Sequence, residues 1–328
     1  MYFNNMKTRI IVFSIAILLI LTQVVGCAES ATTSEELSGT LPIFNAGSLT
    51  APFEQISAEF NKLHPDVEIL AEAAGSTTTI RKVTELGKEC GVIGSADYLL
   101  IPEMMFDEYA DWYIIFASNE MCICYTDTSQ FADEIDGDNW YEILQREGVT
   151  YGHSDPDQDP CGYRTLMVWQ LAEEHYNVTG LYDSLYGATG DMERPKSVDL
   201  IALLESGDLD YAFEYTSVAL QQGLPYVELP PEINLSDADL ADFYAHAKVD
   251  TAGSEPGEIV VQIGKPIVYG VTIPKNFPRQ ELAIAWVDFL LSEQSMDIMA
   301  ANYQTPIIPA KTNDKSKLPS ELRKYVTE

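Results

Sequence analysis

The sequence predicts an α/β protein of two lobes joined by two crossing strands. Three observations predict it. At 328 residues the chain exceeds what one small hydrophobic core fills, so two lobes are expected. A strand, a Gly-Ser pair and a helix follow one another twice in succession near the start, the pattern of βα units in an open sheet. Further on, the apolar, β-prone runs Met121–Tyr125 and Ile267–Ile273 read as strands that leave the first lobe and return to it. Lobe one is then 40–120 and 267–328, and lobe two is 121–266.

Hydrophobic residues make up 46% of the chain and aromatics 10%, ample for a folded core. The 51 acidic and 19 basic side chains give a formal charge of −32. Nucleic acid is excluded as a partner, because binding it needs a basic face. The N-terminus reads as a processed signal. Lys7 and Arg9 form a positive start, Ile10–Leu21 is almost wholly apolar, and Val24-Val25-Gly26-Cys27 reads as a lipobox. Residues 1–27 are therefore expected to be a lipoprotein signal peptide with Cys27 lipidated, and 28–39 a flexible tether. This reading puts the folded part outside the cytoplasmic membrane. The other cysteines, Cys90, Cys122, Cys124 and Cys161, lack zinc-site spacing and read as small apolar fillers.

In order, Leu41–Ala46 reads as a buried strand followed by Gly47-Ser48. The next helix has Thr50 as candidate cap and an apolar face of Leu49, Phe53, Ile56, Phe60 and Leu63. Strand Val67–Ala73 leads to Gly75-Ser76 and helix Thr77–Leu86. Strands are expected over Cys90–Asp97 and Trp112–Phe116. In lobe two, Asp155-Pro156-Asp157-Gln158-Asp159-Pro160 is a turn-rich loop opening the helix Gly162–Tyr176, with Asp159 placed to cap it and Pro160 at its first position. Helix Ser197–Glu205 comes next, then a strand from Asp210 that turns into a helix at Thr216/Ser217, with Glu214 just ahead of the turn. Pro225–Asp239 reads as a loop. Ile259–Ile263 and Ile267–Ile273 bracket Gly264-Lys265-Pro266 as a hairpin, and helices Gln280–Leu291 and Glu293–Ala301 close lobe one.

These elements bring helix starts bearing Ser48 and Ser76 from one lobe toward those near Asp159 and Ser217 from the other. Free amides and hydroxyls at helix starts attract an anion. Lys and Arg are scarce, so hydrogen bonds rather than cations would hold a small oxyanion. Arg164 is expected to pair with the adjacent loop aspartates. A carboxylate beside a bound dianion is repulsive. It is tolerated if it accepts a proton from the ligand, or if it binds a hard, high-valent metal at the oxyanion's centre. No nucleophile–base set is legible, so the chain reads as a solute-binding protein and not an enzyme.

The runs Phe44-Asn45-Ala46-Gly47-Ser48-Leu49, Ala74-Gly75-Ser76, Gly94-Ser95-Ala96-Asp97, Asp159-Pro160-Cys161-Gly162-Tyr163-Arg164 and Phe213-Glu214-Tyr215 together resemble the archaeal tungstate/molybdate-binding proteins of ABC importers (ModA/WtpA type). The resemblance spans nearly all of the mature chain in order. It implies the type II periplasmic-binding-protein-like fold, with the two crossing strands as hinge. It also implies delivery of tungstate or molybdate, a ligand and not a cofactor, to a membrane permease with a cytoplasmic ATPase. By motif, Asp159 and Glu214 would coordinate the metal and Ser48 and Ser76 would donate to its oxygens. A site tyrosine would be Tyr215 or Tyr226. A monomer held to the membrane by its lipid is expected. The alternatives are a phosphate- or sulfate-type oxyanion receptor, and a secreted hydrolase using Asp159 and Glu214 as acid and base.

Overall fold

The computed structural model describes residues 37–253 and 257–327. The expected signal peptide with Cys27, and residues 28–36 of the expected tether, lie outside them. Fourteen strands appear among the described residues: β1 (Gly39–Ala46), β2 (Val67–Ala74), β3 (Val92–Ser95), β4 (Ile114–Ser118), β5 (Met121–Tyr125), β6 (Tyr151–Ser154), β7 (Asp191–Arg194), β8 (Tyr211–Tyr215), β9 (Tyr226–Glu228), β10 (Lys248–Ala252), β11 (Ile259–Ile263), β12 (Val268–Thr272), β13 (Thr305–Thr312) and β14 (Val326–Thr327). They form a seven-stranded sheet in the order β14-β13-β4-β12-β3-β1-β2, a five-stranded sheet in the order β7-β6-β8-β5-β9, and a β10–β11 ribbon. The chain crosses from the first sheet to the second through Asn119-Glu120, between β4 and β5. It returns through Gly264–Ile267, between β11 and β12.

Register sets the level of the two edges that carry the helix starts. In the first sheet β1 runs parallel to β2 with Ala46 opposite Ala74. Gly47-Ser48 and Gly75-Ser76 therefore emerge side by side at the carboxyl edge. Asn45 faces Gly94 of parallel β3, which brings Ser95-Ala96-Asp97 to the same edge. In the second sheet parallel β6 and β8 pair Gly152 with Ala212. Continued two residues, that register sets Ser154 level with Glu214, so the Asp155–Asp159 loop and Glu214-Tyr215 share one edge.

The helices follow their apolar spacing. Helix Thr50–Leu63 buries Phe53, Ile56 and Phe60 on the first sheet, with Phe53 edge-on to Trp286 at 5.0 Å. Leu63, expected on that face, is 61% exposed because it falls in the last turn, beyond the sheet. Thr50 does not cap the helix. A 3-10 turn, Gly47–Leu49, precedes it, and the Thr50 hydroxyl donates back to the Gly47 carbonyl at 2.8 Å. Helix Pro160–His175 is buried on all sides from Pro160 through Trp169, the signature of a core helix rather than a surface one. Trp169 meets Phe213 at 5.5 Å and Tyr151 at 6.1 Å, which fixes the helix against β6 and β8. Each such side chain contributes about 1.5–3 kcal/mol through burial.

Other expectations are corrected. Ile259–Ile263 and the strand after Pro266 are not a hairpin: β11 pairs with β10, whereas β12 enters the first sheet antiparallel to β3 and β4. The Gly-Lys-Pro link has the composition of a turn but spans two sheets. The fourth strand starts at Ile114, not Trp112, and the helix after β7 starts at Asp199, not Ser197. The stretch expected as a loop after Pro225 contains β9 and a short helix, Pro231–Asn234. The expected tether runs one residue too far, since β1 begins at Gly39. The four described cysteines are free and buried, with the Cys122 and Cys124 sulfurs 3.9 Å apart on one face of β5.

Candidate functional site

The two sheet edges face each other across a closed seam, and backbone meets backbone there. The Thr78 amide donates to the Gln158 carbonyl at 3.3 Å. A Cβ built on Gly75 would stand 2.2 Å from that same oxygen, so only glycine lets helix Ser76–Thr84 approach the Asp155–Asp159 loop this closely. Arg81 reaches from this helix to the Asp157 carbonyl at 3.3 Å and to the Ala252 and Gly253 carbonyls at 2.9 and 3.0 Å.

From the first sheet the seam receives Ser48 and Ser76, both buried. The Ser76 hydroxyl oxygen accepts the Ala96 amide at 2.9 Å, and that of Ser48 accepts the Tyr269 hydroxyl at 3.0 Å. An accepting hydroxyl keeps its own proton to donate.

From the second sheet come the carboxylates. Asp159 is the N-cap of helix Pro160–His175, its Oδ1 accepting the Cys161 amide at 3.1 Å. Its Oδ2 accepts the Ser197 amide at 2.9 Å. Glu214 is fully buried at the end of β8. Its Oε2 accepts the Tyr215 amide at 2.7 Å and lies 3.9 Å from the Cys161 sulfur. Its Oε1 is buried with no hydrogen-bond partner. Cys161 thus touches both carboxylates, which sit in one desolvated cluster. Burial pushes Glu214 up to about 8, with the Asp159 charge adding, against the nearby Ser197 hydroxyl and the Tyr215 amide. Burial raises Asp159 as well, opposed by the Ser197 and Cys161 amides.

Arg164 does not pair with the loop aspartates. It turns the other way and crosses the seam, donating to the Ala96 carbonyl at 2.9 Å and the Tyr215 hydroxyl at 2.6 Å, and lying 3.3 Å from Asp97. One turn inside a helix, its side chain points at the first sheet and away from the loop that precedes it. Asp97 also takes Lys265 at 3.0 Å and the Tyr163 hydroxyl at 2.8 Å. Burial acts to raise the Asp97 carboxyl, but Lys265 and Arg164 outweigh it and hold it at about 2. Tyr215 is buried and its hydroxyl is engaged by Arg164. Tyr226 stands apart, lining a surface cavity with Glu120, Thr216 and Leu220 behind the crossing strands. Sequence reasoning missed Ser197, Asn119 and Tyr269. Ser197 was expected only as a helix start, and Asn119 and Tyr269 carry no motif.

Two α/β halves, two crossings and a buried polar seam at facing strand edges define a hinged binding protein that takes a small ligand between its halves. The chain belongs to the bacterial extracellular solute-binding protein family, whose profile matches residues 41–302. It is 51% identical to an uncharacterized solute-binding protein of Petrotoga mobilis, over 89% of this chain and 92% of that one. It is 42% identical to the molybdate/tungstate-binding protein WtpA of Pyrococcus abyssi, over 93% of this chain and 94% of that one. Its fold resembles the Azotobacter vinelandii periplasmic molybdate-binding protein with a TM-score of 0.60, at 15% identity, over 81% of this chain and 98% of that one.

Proposed function

We propose that this protein captures tungstate or molybdate in the seam and delivers it to an ABC permease driven by a cytoplasmic ATPase. The observation that carries the reading is the pair of buried carboxylates, Asp159 and Glu214, joined through Cys161, with Glu214 Oε1 left without a partner. A bare cation fits poorly, since among the described residues no group of three His, Cys, Asp or Glu side chains is placed to hold a metal ion. A tetrahedral oxyanion of a large hard metal brings four oxygens of its own, and two carboxylate oxygens would raise it to six-coordinate. Ser48 and Ser76 donate to the oxygens, and Tyr215 orients the wall beside them. The name of the Pyrococcus relative supports the ligand class. Lobe one is 40–120 and 267–328 and lobe two 121–266, with the crossing segments as hinge. The receptor is a monomer without a catalytic step, held by lipidated Cys27 at the outer face of the membrane.

Titration calorimetry of the mature protein with tungstate, molybdate, sulfate and phosphate tests this reading. Tight binding of tungstate and molybdate alone is expected, with Asp159→Ala and Glu214→Ala each weakening it by about 100-fold or more, the scale of truncating a buried charged contact. Phosphate in preference to tungstate, or carboxylate variants that bind tungstate unchanged, would overturn it.

A further inference from the structure

The hinge contains a hydrogen-bond chain that reaches both halves of the site. Asn119 lies in the first crossing, and its Oδ1 accepts the Glu120 amide at 3.0 Å and the Ser217 amide at 3.4 Å. Backbone amides only donate, so the side-chain amide cannot be turned the other way. Its Nδ2 then spends both protons on hydroxyls, Ser217 Oγ at 2.7 Å and Tyr269 OH at 2.8 Å. Tyr269, just past the second crossing, has one proton and directs it to Ser48 Oγ at 3.0 Å. All four residues are buried. Ser48 and Ser217 each accept from this chain, and among the described residues neither hydroxyl proton meets a protein acceptor. A buried donor without an acceptor is costly, and a bound oxyanion would supply one.

We propose that Asn119 is a positioning residue, fixing the hydroxyl protons of Ser48, through Tyr269, and of Ser217, directly, as donors to the bound oxyanion. The proposal rests on the oxyanion reading above. Its chemical effect is selection: a ligand oxygen that keeps a proton would meet a donor where it needs an acceptor. Fully ionised tungstate or molybdate is accepted there, and hydrogen phosphate is disfavoured.

The test is calorimetry with tungstate and with phosphate at pH 7 on wild type, Asn119→Asp, Tyr269→Phe, Ser48→Ala and the Tyr269→Phe/Ser48→Ala double variant, with thermal unfolding of each ligand-free protein. An aspartate at 119 accepts only, so Tyr269 would turn its proton back and Ser48 would lose its donor role. Asn119→Asp is expected to raise the tungstate Kd about 10- to 100-fold and Tyr269→Phe about tenfold, the range for one or two hydrogen bonds to a charged acceptor. Asn119→Asp should also narrow the tungstate-over-phosphate preference, and Tyr269→Phe should add little to Ser48→Ala. Tyr269→Phe with an unchanged Kd, full additivity with Ser48→Ala, or equal losses for both ligands in Asn119→Asp would overturn the relay. If Asn119→Asp fails to fold, the Tyr269→Phe/Ser48→Ala cycle decides alone. A wild type that binds phosphate but not tungstate overturns the function instead, and the same cycle run with phosphate then decides the relay. A wild type that binds none of the oxyanions overturns both.

Discussion

On the first sheet's side of the seam stand Gly47-Ser48 and Gly75-Ser76, small residues with hydroxyl protons and no charge. On the second sheet's side stand Asp159 and Glu214, two carboxylates desolvated behind a core helix. The same local pattern, a strand edge running into a helix start, presents hydroxyls alone at Ser48 and Ser76 in one half and carboxylates beside the Ser217 hydroxyl in the other. The difference teaches that a helix start alone does not define ligand chemistry. What defines it is which side chains the register brings level: Ala46 with Ala74 on one side, and on the other Gly152 with Ala212, two residues ahead of Ser154 and Glu214. A hydroxyl edge suits the oxygens of an oxyanion. A carboxylate edge suits its central atom, in the reading proposed above.

Three substitutions test that contrast. The largest effect is expected at the contact that lets the two edges meet. Gly75→Val puts a branched side chain where even a Cβ would be 2.2 Å from the Gln158 carbonyl, so the seam cannot close. Ligand affinity should fall by about 100-fold or more, as misplacement by an ångström does. The ligand-free melting temperature should fall as well, because Thr78, Arg81 and Arg164 lose their partners across the seam; an unchanged melting temperature would mean that the two edges are separable surfaces. Next is Asp97→Asn, which leaves Arg164 buried without its anion. Breaking a buried pair costs about 3–5 kcal/mol, measurable by denaturant unfolding. A loss under about 1 kcal/mol, the scale of an exposed pair, would show that water reaches the seam. The smallest effect concerns pH. The raised Glu214 carboxyl favours the folded state below its ordinary value of 4.5, and that stability is lost as pH climbs through about 8. Glu214→Gln removes the loss. The variant should therefore gain melting temperature over wild type at pH 9 relative to pH 5. An equal difference at both pH values would mean that Glu214 is not desolvated.

Much of this was legible in the sequence. Apolar spacing predicted Phe53, Ile56 and Phe60 on one buried face, and Asp159-Pro160 marked a helix start. Both depend on neighbours within a turn. What stayed illegible depends on partners far along the chain. Asp159 looks toward its own loop in the sequence, yet its second oxygen is held by Ser197. Arg164 sits among aspartates in the sequence and pairs with Asp97, across two sheets. Gly264-Lys265-Pro266 has the composition of a hairpin turn, but composition does not reveal that the next strand joins another sheet. The β13 strand, broken by Pro306 and Pro309, lies near the sheet's rim, where a missing amide costs little.

The formal charge of −32 has a consequence for timing and range. A dianion drifting toward this surface meets net repulsion only once it comes within roughly 8–10 Å, the screening length near physiological salt, because farther out salt screens the charge. That outer field acts alike on every ion of the same charge and cannot tell one dianion from another. In the proposed site, discrimination begins only at contact, where Ser48, Ser76 and the two carboxylates would each meet a particular atom.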